Sequence, residues 1–145
     1  MTDLDTLKAA SRTFASDYPE LKLLVLFGSR ARGEDDPLSD WDFAFLLPPE
    51  GSADQTPHWF SGAELLSRLS QLLHVSEDII DLVNLNTCSD ILAHFVARDG
   101  QVIYEKAPGE FVQFQQQALK TREELKAFRQ MQREQVHRAL ERWGV

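Results

Sequence analysis

A single cysteine, Cys88, stands among the 145 residues. No disulfide can close within the chain, and no cysteine cluster is there to hold a metal. Basic residues are also scarce: 15 Lys and Arg against 23 Asp and Glu leave a net charge of −8. Nucleic acids and anionic membranes are gripped through cationic surfaces, so direct binding to DNA, RNA or a membrane is not expected. No apolar run approaches the roughly 20 residues that cross a bilayer. The acidic opening MTDLDTLKAA lacks the basic-then-apolar layout of a secretory signal. A cytoplasmic setting is therefore the expectation. No internal repeat and no low-complexity segment is visible. What is present is 43% hydrophobic, enough to build the core of one domain.

Hydrophobic patterning divides the chain into short elements. Leu4, Leu7 and Phe14 share one face of a helix over 3–15, capped by Thr2 or Asp3 and broken at Tyr18-Pro19. Strands are expected at 21–27, 40–47, 79–85 and 102–104, and helices at 61–73 and 89–97. Ser61-x-x-Glu64 is a capping box opening the first of these helices. Ser29 is a candidate cap for a short helix through Gly33, and the polar stretches 34–39 and 48–57 read as loops. Residues 1–108 are read as the core domain and 109–145 as its helical extension. Residues 110–143 contain neither glycine nor proline. As one helix they would reach about 51 Å at 1.5 Å per residue, against a radius of gyration near 13 Å for a domain of about 100 residues. The extension must therefore fold back as two helices or project toward a partner.

The chemistry gathers at the strand ends. Gly28-Ser29 closes one strand, and Asp40 and Asp42 open the next. Alternation puts both carboxylates on one face and Trp41 on the other, in the core. Two adjacent carboxylates repel unless a cation lies between them, and hard oxygen ligands suit Mg²⁺. Glycine lets a phosphate approach the backbone, Ser29 adds a hydroxyl, and Arg30 and Arg32 can neutralise a triphosphate. Asp81 interrupts the apolar run IIDLVNL. On an adjacent strand it completes a cluster of three acids, as a metal ligand or a general base. Such a set suits nucleotidyl transfer assisted by two metal ions. Ordinary turn and cap chemistry is the plain alternative for the same residues.

Elsewhere the expectations are structural. His58, His74, His94 and His137 lack ligand spacing and read as surface or capping residues. Cys88 and Tyr104 read as packing residues, and Trp143 as an anchor for the last helix or an interface residue. Arg122, Arg129, Arg133 and Arg138 read as a solvated helix face.

The segment GSRARGEDDPLSDWDFAFLL, residues 28–47, resembles the signature of minimal nucleotidyltransferases of the DNA polymerase beta superfamily: Gly-Ser, ten residues, then Asp-x-Asp. Residues 79–105, IIDLVNL followed by a helix and DGQVIYE, are similar to that family's later aspartate-bearing strand, helix and terminal strand. The resemblance implies an α+β nucleotidyltransferase fold: a small mixed β-sheet, helices packed on it, and a helical C-terminal extension. It implies ATP as substrate, Gly28 and Ser29 at the triphosphate, Asp40 and Asp42 on Mg²⁺, and Asp81 beside the acceptor hydroxyl. Many small stand-alone members are antitoxins. Their partner is a helical HEPN-domain toxin, an RNase, silenced by AMP placed on a tyrosine. Two competitors are a nucleotidyltransferase acting on a small hydroxylated molecule such as an aminoglycoside, and an antitoxin that acts by binding alone.

Overall fold

The computed structural model describes residues 3–34, 36–49 and 60–142. Thr2, His58, Trp143 and most of the expected loop 48–57 lie outside the described residues.

Four strands form one mixed sheet in the order β3-β2-β1-β4. Central β1 (Leu23–Phe27) pairs antiparallel with β2 (Trp41–Leu46) and with β4 (Gln101–Glu105). Edge strand β3 (Ile80–Asn84) runs parallel to β2. Parallel neighbours need a crossover rather than a tight turn, and α4 (Gly62–Leu73) lies between them in the chain. The first four residues of β1 are buried, as a central strand covered on both faces requires.

The period-2 alternation of the strands feeds two cores. Leu24, Leu26, Phe43 and Phe45 point to one side, against Leu7, Phe14, Leu65 and Leu69. Leu23, Val25 and Ala44 point to the other, against Val96, Ala97, Phe111 and Phe114. Full burial of each large side chain stabilises by about 1.5–3 kcal/mol. In α4 the buried residues Leu65, Leu69 and Leu73 recur every four positions, one stripe of a helix. The Ser61 hydroxyl accepts the Glu64 N–H at 3.3 Å, as the capping box predicts. Ser89 caps α5 (Asp90–Asp99) in the same way through Leu92.

The N-terminal helix is not continuous. It runs as α1 (Asp3–Ala10), a 3-10 turn at Ser11–Thr13 and α2 (Phe14–Asp17). Ser11 is buried, and its hydroxyl reaches the carbonyls of Lys8 and Ile103 at 2.7 and 3.1 Å. A serine that bonds backbone carbonyls competes with regular helix geometry. Ser29 is not a cap either. It is the first residue of α3 (Ser29–Arg32), and Gly28 takes the cap position.

The C-terminal segment is two helices. Phe111 and Phe114 of α6 (Glu110–Ala118) join the second core. Gly100 admits Phe111: a Cβ there would strike Val25 Cγ1 and the Val96 carbonyl, with Phe111 Cζ at 3.3 Å. The chain then breaks, and α7 (Arg122–Arg142) contributes no buried residue. Arg122, Arg129, Arg133 and Arg138 are exposed on it, together with Met131, Val136 and Leu140. The break has a local cause. Thr121 and Glu124 exchange side chain-to-backbone bonds, each 3.1 Å, a second capping box.

Of the two roles expected of His94, surface or capping, the structure shows the second. It is 4% exposed, and its Nδ1 accepts the Lys120 N–H at 3.0 Å. The imidazole thus satisfies a backbone donor at the α6–α7 break that no helix can satisfy. His74 does cap a helix, ending α4 with φ +56°. Tyr104 packs edge-on against Phe14 at 5.8 Å, a structural role. No described helix is long and apolar enough to cross a membrane.

Candidate active site

The site forms where β1 ends. Gly28 has φ +77° and ψ −160°, a region essentially closed to other residues. A Cβ added there would strike Asp42 Oδ2. The glycine therefore lets the turn and the carboxylate approach each other closely. Ala31 and Arg32 return their N–H groups to the Gly28 carbonyl at 3.1 and 3.2 Å. Ala31 is buried, and its carbonyl accepts a bond from the Gln101 side chain. The one-turn helix is thus tied to β4.

Asp42 lies opposite Phe27 across the antiparallel pair and level with Asp81 across the parallel pair. Level residues in paired strands share a face, so β2 and β3 bring the two carboxylates together. Asp40 immediately precedes β2 and is exposed, and Asp42 is half-buried. Burial is the main cause that pushes the Asp42 carboxyl above its ordinary value. The charges of Asp81 and Asp40 and a hydrogen bond with Asp81 push it the same way, against the pull of Arg32. Two carboxylates level on one face repel, and a divalent cation between them would relieve that repulsion. The donor set fits Mg²⁺ in that respect. Among the described residues no three acids converge as a ready-made metal cage, and Mg²⁺ commonly takes one or two carboxylates, with water and phosphate completing its shell.

The raised Asp42 carboxyl has a thermodynamic consequence. The folded protein holds this proton more tightly than the unfolded chain does. In metal-free buffer, stability falls as pH rises from the ordinary carboxylate range through the raised value. Asp42→Asn removes this contribution, so the variant should melt higher than the wild type at neutral pH and lose the advantage in acid. Thermal melts across pH in chelator test this. Equal melting temperatures at neutral pH would refute the raised carboxyl.

Arg30 and Arg32 do different things. Arg30 donates from Nε and Nη2 to the Ser39 carbonyl at 3.1 and 2.7 Å, and its guanidinium lies 4.2 Å from the Trp41 ring centre. Trp41 is buried behind the carboxylates, stacked on Phe43. Arg30 therefore braces the loop that delivers Asp40, where the motif leads us to expect a phosphate contact. Arg32 is the cation whose charge reaches Asp42. Arg30→Ala should lower the turnover rate by about tenfold to a hundredfold through misplacement of Asp40, with little change in KM for the nucleotide. A phosphate ligand would instead raise KM. Steady-state kinetics separate the two.

A cleft of about 420 Å³ opens beside Gly28, lined by Phe27, Arg32, Phe95, Arg98 and Asp99. Three of these belong to α5, and the motif reading missed them. No local signal could have found them, because the last turn of α5 reaches the cleft only through packing on β1.

Comparison with known proteins places the chain in a family. Residues 11–109 match the family model described as "Polymerase beta, Nucleotidyltransferase". The protein adenylyltransferase MntA of Aphanizomenon flos-aquae is 40% identical over 142 residues, which is 96% of this chain and 93% of the relative. A toxin–antitoxin crystal structure with AMP-PNP superposes with a TM-score of 0.63 at 24% identity, covering 92% of this chain and 98% of that one. The MNT antitoxin complexed with the tri-AMPylated HEPN toxin of Shewanella oneidensis gives 0.60 at 21% identity, covering 94% and 99%. These structures share the fold. The match spans both acid-bearing strands and the glycine turn, and the chain belongs to the polymerase beta nucleotidyltransferase family.

Proposed function

We propose that this chain is the antitoxin of a HEPN/MNT pair, a protein adenylyltransferase that moves AMP from ATP to a tyrosine of a helical HEPN-domain toxin. One observation carries the reading: similarity to a protein adenylyltransferase extends over 96% of the chain. The solved relatives of the same fold add an ATP analogue in one case and an AMPylated HEPN toxin in another. ATP abounds in the cytoplasm, the compartment proposed for the reaction.

Gly28, Ser29 and Arg32 hold the triphosphate in this reading. Asp40, Asp42 and Asp81 would hold Mg²⁺, two ions in the full site, which supplies charge neutralisation and a lowered acceptor pKa when bound. Asp81 is exposed at the edge strand, where an incoming hydroxyl can reach it, and it accepts or directs the proton. The tyrosine oxygen forms a bond to the α-phosphorus, the bond to pyrophosphate breaks, and pyrophosphate leaves. Arg30 keeps Asp40 in place throughout.

The test is intact-mass spectrometry of the adjacent-gene product, purified after incubation with this protein, ATP and Mg²⁺. Increments of whole adenylates are expected, lost on Tyr→Phe replacement in the toxin. A stable inhibited complex without increments would assign action by binding alone. Transfer to an aminoglycoside with none to the toxin would assign a small-molecule acceptor.

A further inference from the structure

The motif offers two arginines to the nucleotide, yet Arg30 is bound to the Ser39 carbonyl and the Trp41 face. A nucleoside triphosphate brings about four negative charges, and this chain is acidic. Two Mg²⁺ ions held by three aspartates would add about one net positive charge, and Arg32 one more, so part of that charge stays unmatched. The cleft beside Gly28 contains another cation. Arg98, on the last turn of α5, lines it with Arg32, and Asp99 lies between the two.

We infer that Arg98 is a second guanidinium ligand for the polyphosphate end of the nucleotide, held in place by Asp99 and paired with Arg32 across the cleft; the inference rests on the adenylyltransferase reading. Asp99 meets Arg98 through two bonds of 2.9 Å and approaches Arg32 Nη1 at 3.8 Å. Its side chain is 15% exposed, so water screens the three-membered network only in part. Glu34 also meets Arg32 Nε at 3.0 Å, but from a side chain 65% exposed, so an incoming phosphate can displace it and take both guanidiniums. Arg98 also lies over the Phe95 ring at 4.8 Å, so its plane is set by a ring and by a fork of hydrogen bonds. That fork engages Nε and one terminal nitrogen. The other terminal nitrogen carries two further N–H groups suited to phosphate oxygens. The arginine bonds of Asp99 hold its carboxyl below the ordinary range, so it stays anionic as the network needs. The ligand class follows: a pyrophosphate or triphosphate group, as the tail of ATP or as the released product.

Calorimetry on the full chain with Mg²⁺ tests this, using inorganic pyrophosphate, AMP-PNP and AMP as probes. Arg98→Gln should weaken pyrophosphate and AMP-PNP binding by about tenfold and AMP binding by less than about twofold. In transfer assays it should raise KM for ATP more than it lowers kcat. Arg98→Lys should restore part of the loss. Asp99→Asn, which frees Arg98 from its fork, should give an intermediate effect, and the melting temperature of each variant reports its folding. Unchanged pyrophosphate affinity in folded Arg98→Gln would overturn the clamp while leaving the adenylyltransferase reading intact. So would a loss confined to toxin affinity, which would assign Arg98 to the partner surface. A wild type that binds pyrophosphate through Arg98 yet transfers no adenylate would sink the reading of function and spare the clamp.

Discussion

Alanine at both Asp40 and Asp42 should lower adenylate transfer by at least about a thousandfold, with the fold and the toxin complex intact. The size follows from what is removed. Asp42 lies in a half-buried position level with Asp81, and phosphoryl chemistry at such a site depends almost wholly on positioning and charge stabilisation. The fold survives because neither side chain belongs to either core. Loss of Asp42 also removes the burial of a charge, and the repulsion by Asp81 and Asp40, that together raise its carboxyl. The variant should therefore melt no lower than the wild type, and higher in metal-free buffer at neutral pH. Single-turnover transfer, thermal melts and size-exclusion of the complex measure the three quantities. Transfer within tenfold of the wild type would remove Asp40 and Asp42 from the chemistry.

Gly28→Ala should damage the protein in a way that reports on the same carboxylate. Two costs combine. The backbone at φ +77° and ψ −160° strains any other residue by about 1–3 kcal/mol. The new methyl also strikes Asp42 Oδ2, so Asp42 or the turn must shift. A shift of this kind at a reacting centre costs about a hundredfold in rate, and the melting temperature should fall as well. The contributions separate in a double-mutant cycle. In an Asp42→Ala background most of the collision is gone and the strain remains, so the destabilisation by Gly28→Ala should shrink. Strictly additive effects would mean that the turn and the carboxylate are not in contact.

Much of the site was legible because its signals are local. Gly28-Ser29, Asp40-Trp41-Asp42 and Asp81 sit at strand ends, where alternation alone assigns faces. Asp42 and Trp41 do point opposite ways, one to the site and one to the core. The capping box at Ser61 and Glu64 specified the start of α4, since its bonds close within one turn. Thr121 and Glu124 carried an equally local signal for the break before α7, which the search for helical periodicity passed over.

Other features depended on distant partners. Asp81 meets Asp42 only because the crossover through α4 lays β3 beside β2 in parallel, with these two residues level. A guanidinium two positions after a glycine can face a phosphate or a carbonyl, and Arg30 turned to Ser39 because the loop came within its reach. His94 reads from its spacing as a surface or capping residue, and only the α6–α7 break, which brings a backbone N–H to it, decides between the two. Arg98 carries no motif and Asp99 reads only as the start of the terminal-strand segment DGQVIYE, and both reach the glycine turn because α5 packs across β1. Residue type and short spacing were thus enough for the chemistry and its strand ends. Register, crossover and the choice among competing hydrogen-bond partners required the whole chain to fold, because each depends on groups far apart in sequence.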